Sequence, residues 1–337
     1  MPDPPIDVAR LAELVQEALR EVKRVIVGQE HMVEQLMVTL IAGGHCLLEG
    51  VPGVAKTLAV RTFADVVGGS FARVQFTPDL VPSDIVGTRI YRPSKEGFDV
   101  ELGPVFVNFV LADEVNRAPA KVQSAMLELM GERQVSIGGE TFVLPEPFIV
   151  IATQNPIESE GVYPLPEAQR DRFLLKVDVD HPRGRDEFEI LRRMSVSPPT
   201  ANRVLSPEVV RELRSAADQV FLHNLVAEYI VRMVLATRST REFQLPELDG
   251  VIEVGVSPRA TLGLAAAARA LALISGRSYV LPQDVAAVAC DVMAHRMMLT
   301  FDAVADAVDP RAVVGRVVSS IAPPQPVWNG TGQPAFR

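Results

Sequence analysis

Apolar residues fall at helical spacing at the start of the chain, then in short unbroken runs, then at helical spacing again. Ile6, Leu11, Leu14, Val15, Leu19 and Val22 predict a first helix over residues 6–25. Val25-Ile26-Val27-Gly28-Gln29 breaks it, and a second helix is expected from about Glu30 to Ile41, stopped by Gly43-Gly44. From there strands and helices alternate. His45–Glu49, Ala72–Phe76, Asn108–Asp113, Phe148–Thr153 and Phe173–Val179 read as strands. Leu58 to Val67 and Pro119–Gly131 read as helices, the second with Val122, Met126, Leu129 and Met130 on one face. Short, fully apolar strands between helices predict an α/β fold with a parallel sheet sandwiched by helices.

Two insertions interrupt this rhythm. Arg89–Arg92 and Phe98–Glu101 flank Pro93-Ser94-Lys95-Glu96-Gly97, a hairpin with a long loop. Gln134–Ile137 and Glu140–Val143 flank Gly138-Gly139, a tight hairpin in which Val135 and Phe142 share a face. Neither is needed to build the sheet; they are decoration or working loops that touch a substrate. After His181-Pro182-Arg183-Gly184 the strand signal fades. Ser206-Pro207, Ser257-Pro258, Leu281-Pro282 and Asp309-Pro310 each open a helix, and Gly276 closes the second of these; the helix from Leu281-Pro282 is expected to run to about Met298. The expected organisation is an α/β domain over residues 1–182, a linker at 183–200, a smaller helical lid at 201–322 and a mobile tail rich in Pro and Gly at 323–337.

The 337 residues are 48% hydrophobic and 22% charged, as in a globular protein. A net charge of −9 argues against broad electrostatic binding to nucleic acid. Cys46 and Cys290 each lie in an apolar segment and read as buried thiols rather than a disulfide; two are too few for a zinc site. Met1-Pro2-Asp3-Pro4-Pro5 has none of the features of a signal peptide, and Ala260 to Ser275 is too short to span a bilayer, so a cytoplasmic protein without a membrane partner is expected.

The chemistry concentrates in three places. Leu47 to Thr57 is an apolar run feeding a glycine-bearing loop that ends in Lys-Thr before a helix, the layout of a phosphate-binding loop. Gly50, Pro52, Gly53, Val54, Ala55, Lys56, Thr57 and Leu58 are its candidate nucleotide-binding residues. Backbone N–H groups and the helix dipole would cradle phosphate, Lys56 would reach the β- and γ-phosphates, and Thr57 would hold Mg²⁺. Where the usual pattern has Gly before Lys, this chain has Ala55. A methyl group disfavours φ > 0. Ala55 is therefore expected inside the first helical turn, with the strained turns on Gly50 and Gly53. Phe109 to Glu114 delivers two carboxylates at a strand's C-terminal end, where ligands of open α/β sheets bind. Asp113 would hold Mg²⁺ and Glu114 would polarise the attacking water. The third strand ends in Thr153-Gln154-Asn155-Pro156, whose amide Asn155 can orient that water.

The chain resembles an AAA+ ATPase of the MoxR family. The matching residues stand in family order: Val27-Gly28-Gln29, Glu49 to Thr57, Leu111 to Ala118, Ala152 to Glu158, Leu165 to Phe173 and Ser257 to Ala260. The resemblance implies that Val27 and Gly28 line an adenine pocket, that Asn155 is sensor 1, and that Arg259 on the lid is sensor 2. Arg259 also stands in the first turn of a helix, where a cation opposes the dipole and calls for a partner such as phosphate. Arg172 matches the arginine finger, with Arg170 as its rival. The resemblance further implies ATP and Mg²⁺ as cofactors, assembly into a ring that is usually a hexamer, chaperone-like work on client proteins, and a link to a partner with a von Willebrand factor A domain or to metal loading. A helicase-like motor, whose first hairpin would use Arg89, Arg92 and Lys95, and a nucleotide-switched binding module with little turnover are the alternatives.

Overall fold

The apolar runs pair into a single five-stranded sheet. The structure, a computed structural model, describes residues 7–156, 163–328 and 334–336. Residues 1–6, and Ile157 and Glu158 of the motif around Asn155, lie outside the described residues. Within this sheet β1 is Cys46–Gly50, β2 Phe71–Gln75, β3 Phe109–Asp113, β4 Ile149–Gln154 and β5 Leu175–Val179. Their order across the sheet is β2-β3-β4-β1-β5. β2 runs parallel to β3, β3 to β4 and β4 to β1. β3 is buried along its whole length, which is why it reads as an unbroken apolar run. β2 is an edge strand on which exposed Arg73 and Gln75 flank buried Val74.

Two compact units are present. One holds residues Gln16–Phe173 and Val177–Glu212; the other holds residues up to Val15, Leu174–Lys176 and residues from Leu213 on. This division differs from the expected cuts at 182 and 201. Residues 183–200, expected as a linker, contain the helix Gly184–Met194. Its first turn carries Asp186 and Glu187 and its last turn Arg192 and Arg193, charges that suit the helix dipole. Arg193 donates to the carbonyls of Lys23 and Arg24 at 3.1 and 3.0 Å, capping the helix Val8–Val25.

Both hairpins form. The first pairs Gly87–Arg92 with Gly97–Leu102. The second pairs Gln134–Ile137 with Glu140–Val143 and sets Val135 opposite Phe142. Gly138 and Gly139 have φ of +61° and +90°, the left-handed conformations a two-residue turn requires. The hairpins touch: Arg89 donates to the Gly138 carbonyl at 3.4 Å, and its guanidinium lies 4.9 Å from the centre of the Phe98 ring. Arg92 pairs with Asp99 at 2.8 Å.

The other unit is mainly helical. Ser257 and Asp309 cap the helices Pro258–Ile274 and Pro310–Ser320 by accepting from the amides of Arg259 and Arg311. The helix Pro282–Met293 ends short of Met298, because Met298–Leu299 leaves to pair with Ile252–Val254. Arg277 grips Asp284 with two nitrogens, each at 2.6 Å. In the tail, Pro326–Trp328 pairs with Pro334–Phe336, an order not anticipated for it. Cys46 and Cys290 are free thiols, Cys46 buried and Cys290 partly so. Among the described residues no helix is long and apolar enough to cross a membrane.

Candidate functional site

β3, β4 and β1 are neighbours and run the same way, so their C-terminal tips lie side by side. At these tips sits a cavity of about 380 Å³. The loop after β1 contributes Pro52, Gly53, Ala55, Lys56, Thr57 and Leu58 to its wall. The tips of β3 and β4 contribute Asp113, Glu114, Thr153, Gln154 and Asn155, and β2 adds Arg73. Nine residues singled out from the sequence thus meet in one place. Val54 does not: it is 2% exposed and turns into the core. Val27 and Gly28 do not line the cavity either. Gly28 has φ of +73° and lies against Asp186, while Gln29 donates to the Asp180 carbonyl at 2.9 Å.

The loop departs from expectation at Ala55. It is not in the first helical turn but is the N-cap of the helix Lys56–Val67, with φ 63° and ψ 18°. Gly53 is left-handed at φ +87°, as expected. Gly50 has no left-handed φ; it is glycine because a Cβ there would fall 2.3 Å from the Val179 carbonyl oxygen. The physical reason is geometric. The chain must reverse sharply to enter the helix, and the turn falls on the residue just before Lys56. For a residue with a side chain, the left-handed conformation costs roughly 1–2 kcal/mol. Glycine removes that cost but frees the unfolded chain by about 0.4–1 kcal/mol. Ala55→Gly is therefore expected to stabilise the α/β unit by up to about 1 kcal/mol, read as a higher urea midpoint at unchanged slope. A lower midpoint would mean that the methyl group's contacts outweigh the strain.

Lys56 donates to the Gly50 carbonyl and lies 3.5 Å from the Gln154 carbonyl, bridging the loop's start and the tip of β4. Burial holds its ammonium below the usual lysine range, and the charges of Asp113, Glu114 and Glu49 oppose that shift. Asp113 is held on both oxygens. The Thr153 hydroxyl donates to Oδ1 at 2.5 Å, and Arg73 reaches Oδ2 with Nε at 2.9 Å and Nη2 at 2.6 Å. Glu114 has φ 56° and starts the short helical turn Val115–Arg117. Its N–H donates to Thr153 Oγ1 at 2.8 Å. Its Oε2 accepts from Gln75 Nε2 at 2.8 Å and faces Arg117 Nε at 3.0 Å. Arg73 Nη2 also donates to Gln75 Oε1 at 2.7 Å, so one polar chain runs from Asp113 to Glu114.

Arg73, Gln75, Arg117 and Thr153 were not singled out as site residues from the sequence. A signal existed for the first two. They stand two apart on a strand, hence on one face, and the register sets Gln75 beside Asp113. Arg172 lies outside the cavity wall and donates to the Leu127 carbonyl at 2.5 Å. Arg170 sits 3.8 Å from Glu167. Arg259 belongs to the helical unit, where its amide donates to Ser257 Oγ at 3.2 Å.

The donor set fits a nucleotide and Mg²⁺. A hydroxyl (Thr57) and a carboxylate (Asp113) share one wall, and hard oxygen donors suit Mg²⁺. The ammonium of Lys56 and the N-terminus of its helix suit phosphate.

Residues 45–175 match a family described as "ATPase family associated with various cellular activities (AAA)", and residues 248–317 match an AAA lid domain. The chain is 58% identical to chaperone MoxR1 of Mycobacterium tuberculosis over 92% of its length, spanning 82% of that protein. It is 32% identical to protein MoxR of Methylorubrum extorquens, covering 83% of this chain and 86% of that one. The crystal structure of a candidate ATPase from Cytophaga hutchinsonii matches it with a TM-score of 0.89 at 43% identity, over 95% of this chain and 97% of that one.

Proposed function

We propose that this chain, which belongs to the MoxR family of AAA+ ATPases, hydrolyses ATP within a ring of its own copies and uses the cycle to remodel or mature client proteins. The observation that carries this reading is the meeting of Lys56, Thr57, Asp113, Glu114 and Asn155 at one cavity from three strand tips. Lys56 and the loop amides bind the phosphates, and Leu58 and Pro52 border them. Thr57 and Asp113 hold Mg²⁺, which when bound neutralises charge on the phosphates. Glu114 takes up a proton from the attacking water, and Asn155 fixes that water's direction. Arg172 completes a neighbour's site, and family likeness gives Arg259 the role of sensor 2. A ring of hexameric type, a partner with a von Willebrand factor A domain and a role in metal-cofactor insertion rest on family likeness, as does the chaperone work named for MoxR1.

The helicase-like reading is the weaker one. Arg92 is paired with Asp99, and Arg89 is engaged with Phe98 and the Gly138 carbonyl, so neither presents a free charge to a phosphate chain.

Calorimetric titration with ATP and ADP tests the reading. Wild type should bind both, and Lys56→Ala should weaken binding by about 10- to 100-fold, the value of a charge-assisted contact. Mass measurement with and without ATP tests assembly. A wild-type chain that gives no heat with either nucleotide overturns the proposal.

A further inference from the structure

We propose that Arg73 is the resident counter-ion of Asp113, which a divalent cation has to displace, so that Arg73 sets the cation requirement of the site. The inference rests on the nucleotide reading above and goes beyond it, since nothing in the loop-and-carboxylate chemistry calls for an arginine on β2.

Three observations carry it. First, Arg73 places two nitrogens on a single oxygen of Asp113, at 2.9 and 2.6 Å, while the Thr153 hydroxyl takes the other oxygen at 2.5 Å. The carboxylate's strongest acceptor directions are thus already used, and charge-assisted contacts of this kind are the strong ones. Second, the two partners differ in freedom. The Asp113 side chain is 11% exposed and fixed from both sides, whereas that of Arg73 is 50% exposed. Arg73 stands on the edge strand, so its guanidinium can swing into water without losing its solvation, and Asp113 cannot follow it. Third, Arg73 lines the same cavity as Thr57, the other oxygen donor for the cation, so the guanidinium and the cation compete for one carboxylate within one space. A guanidinium carries a single charge and interacts only as a hydrogen-bond donor. A divalent cation would be held by the oxygens of both Thr57 and Asp113 and would supply twice the charge of the guanidinium.

The competing role for Arg73 is a phosphate ligand, and the two roles move opposite observables. The test uses the full chain and isothermal titration with ADP at a series of Mg²⁺ concentrations and in EDTA. Arg73→Gln should lower the Mg²⁺ concentration that gives half-maximal tightening by about threefold to tenfold, as expected for losing a half-exposed ion pair. Its binding in EDTA should match wild type. Arg73→Lys, which keeps the charge and loses the paired geometry, should give a smaller shift in the same direction. In an Asp113→Asn background the Arg73→Gln substitution should make no further difference. Each variant is checked for folding by its thermal midpoint. An unchanged or raised Mg²⁺ requirement in Arg73→Gln, or weaker ADP binding in EDTA, overturns the inference while wild-type binding keeps the nucleotide reading intact. Failure of wild type to bind overturns both.

Discussion

Alanine in place of Arg172 should lower ATP turnover by about 10³-fold or more while ATP affinity stays within a few-fold. The reasoning starts from position. Arg172 follows the short helix Glu167–Arg170, is exposed, and lies outside the cavity wall of its own chain, tied to the Leu127 carbonyl at 2.5 Å. A cation so placed contributes nothing to holding its own nucleotide. If it completes the site of the next subunit, it neutralises charge that develops only as the γ-phosphoryl group transfers. Its loss then appears in turnover and not in binding. A mixing experiment separates this from a folding defect. Lys56→Ala subunits bind nucleotide poorly but keep Arg172, and Arg172→Ala subunits bind nucleotide but lack the arginine. Mixed together, they should regain a measurable fraction of turnover that neither shows alone. No recovery in assembled mixtures would remove the cross-subunit role. Arg170, already beside Glu167 at 3.8 Å, should tolerate alanine with turnover changed only a few-fold.

Glu114→Gln should retain ATP affinity and lose about 10²- to 10⁴-fold in phosphate release, the usual contribution of a general base. The amide keeps the shape of the side chain and can still face Gln75 and Arg117, so folding is preserved. It cannot accept a proton from water. Single-turnover phosphate release, measured beside ATP binding on the same sample, decides the matter. Equal rates for the two proteins would strip Glu114 of the role.

Much of this architecture could be read from letters, and the failures have identifiable causes. Unbroken apolar strands are legible because central strands are buried on both faces; β3 is the extreme case. Gly138-Gly139 fixed both the turn and the register, since two left-handed residues permit little else. At Ala55 loop geometry outranks intrinsic preference. The surrounding fold holds a residue with a side chain at φ 63° despite its local cost. The helix Gly184–Met194 is announced only by its acidic first turn and basic last turn. Phe188 and Leu191 on it are exposed at 69% and 64%, so its apolar spacing does not mark a core. Arg73 and Gln75 are hard to read because polar residues on an edge strand normally mean a solvated rim. Only the register with β3 turns them toward Asp113 and Glu114. Legibility therefore ends where a side chain's partner lies on another strand.

The contact between Arg89 and Gly138 changes how truncation experiments on this protein are to be interpreted. A single guanidinium is shared by the crest of the Gln134–Val143 ribbon and an aromatic ring of the Gly87–Leu102 ribbon. Any side chain at position 138 would collide with the aliphatic stem of that arginine. Trimming either ribbon therefore strands half of a joint, and a defect seen after shortening one cannot be credited to that one alone.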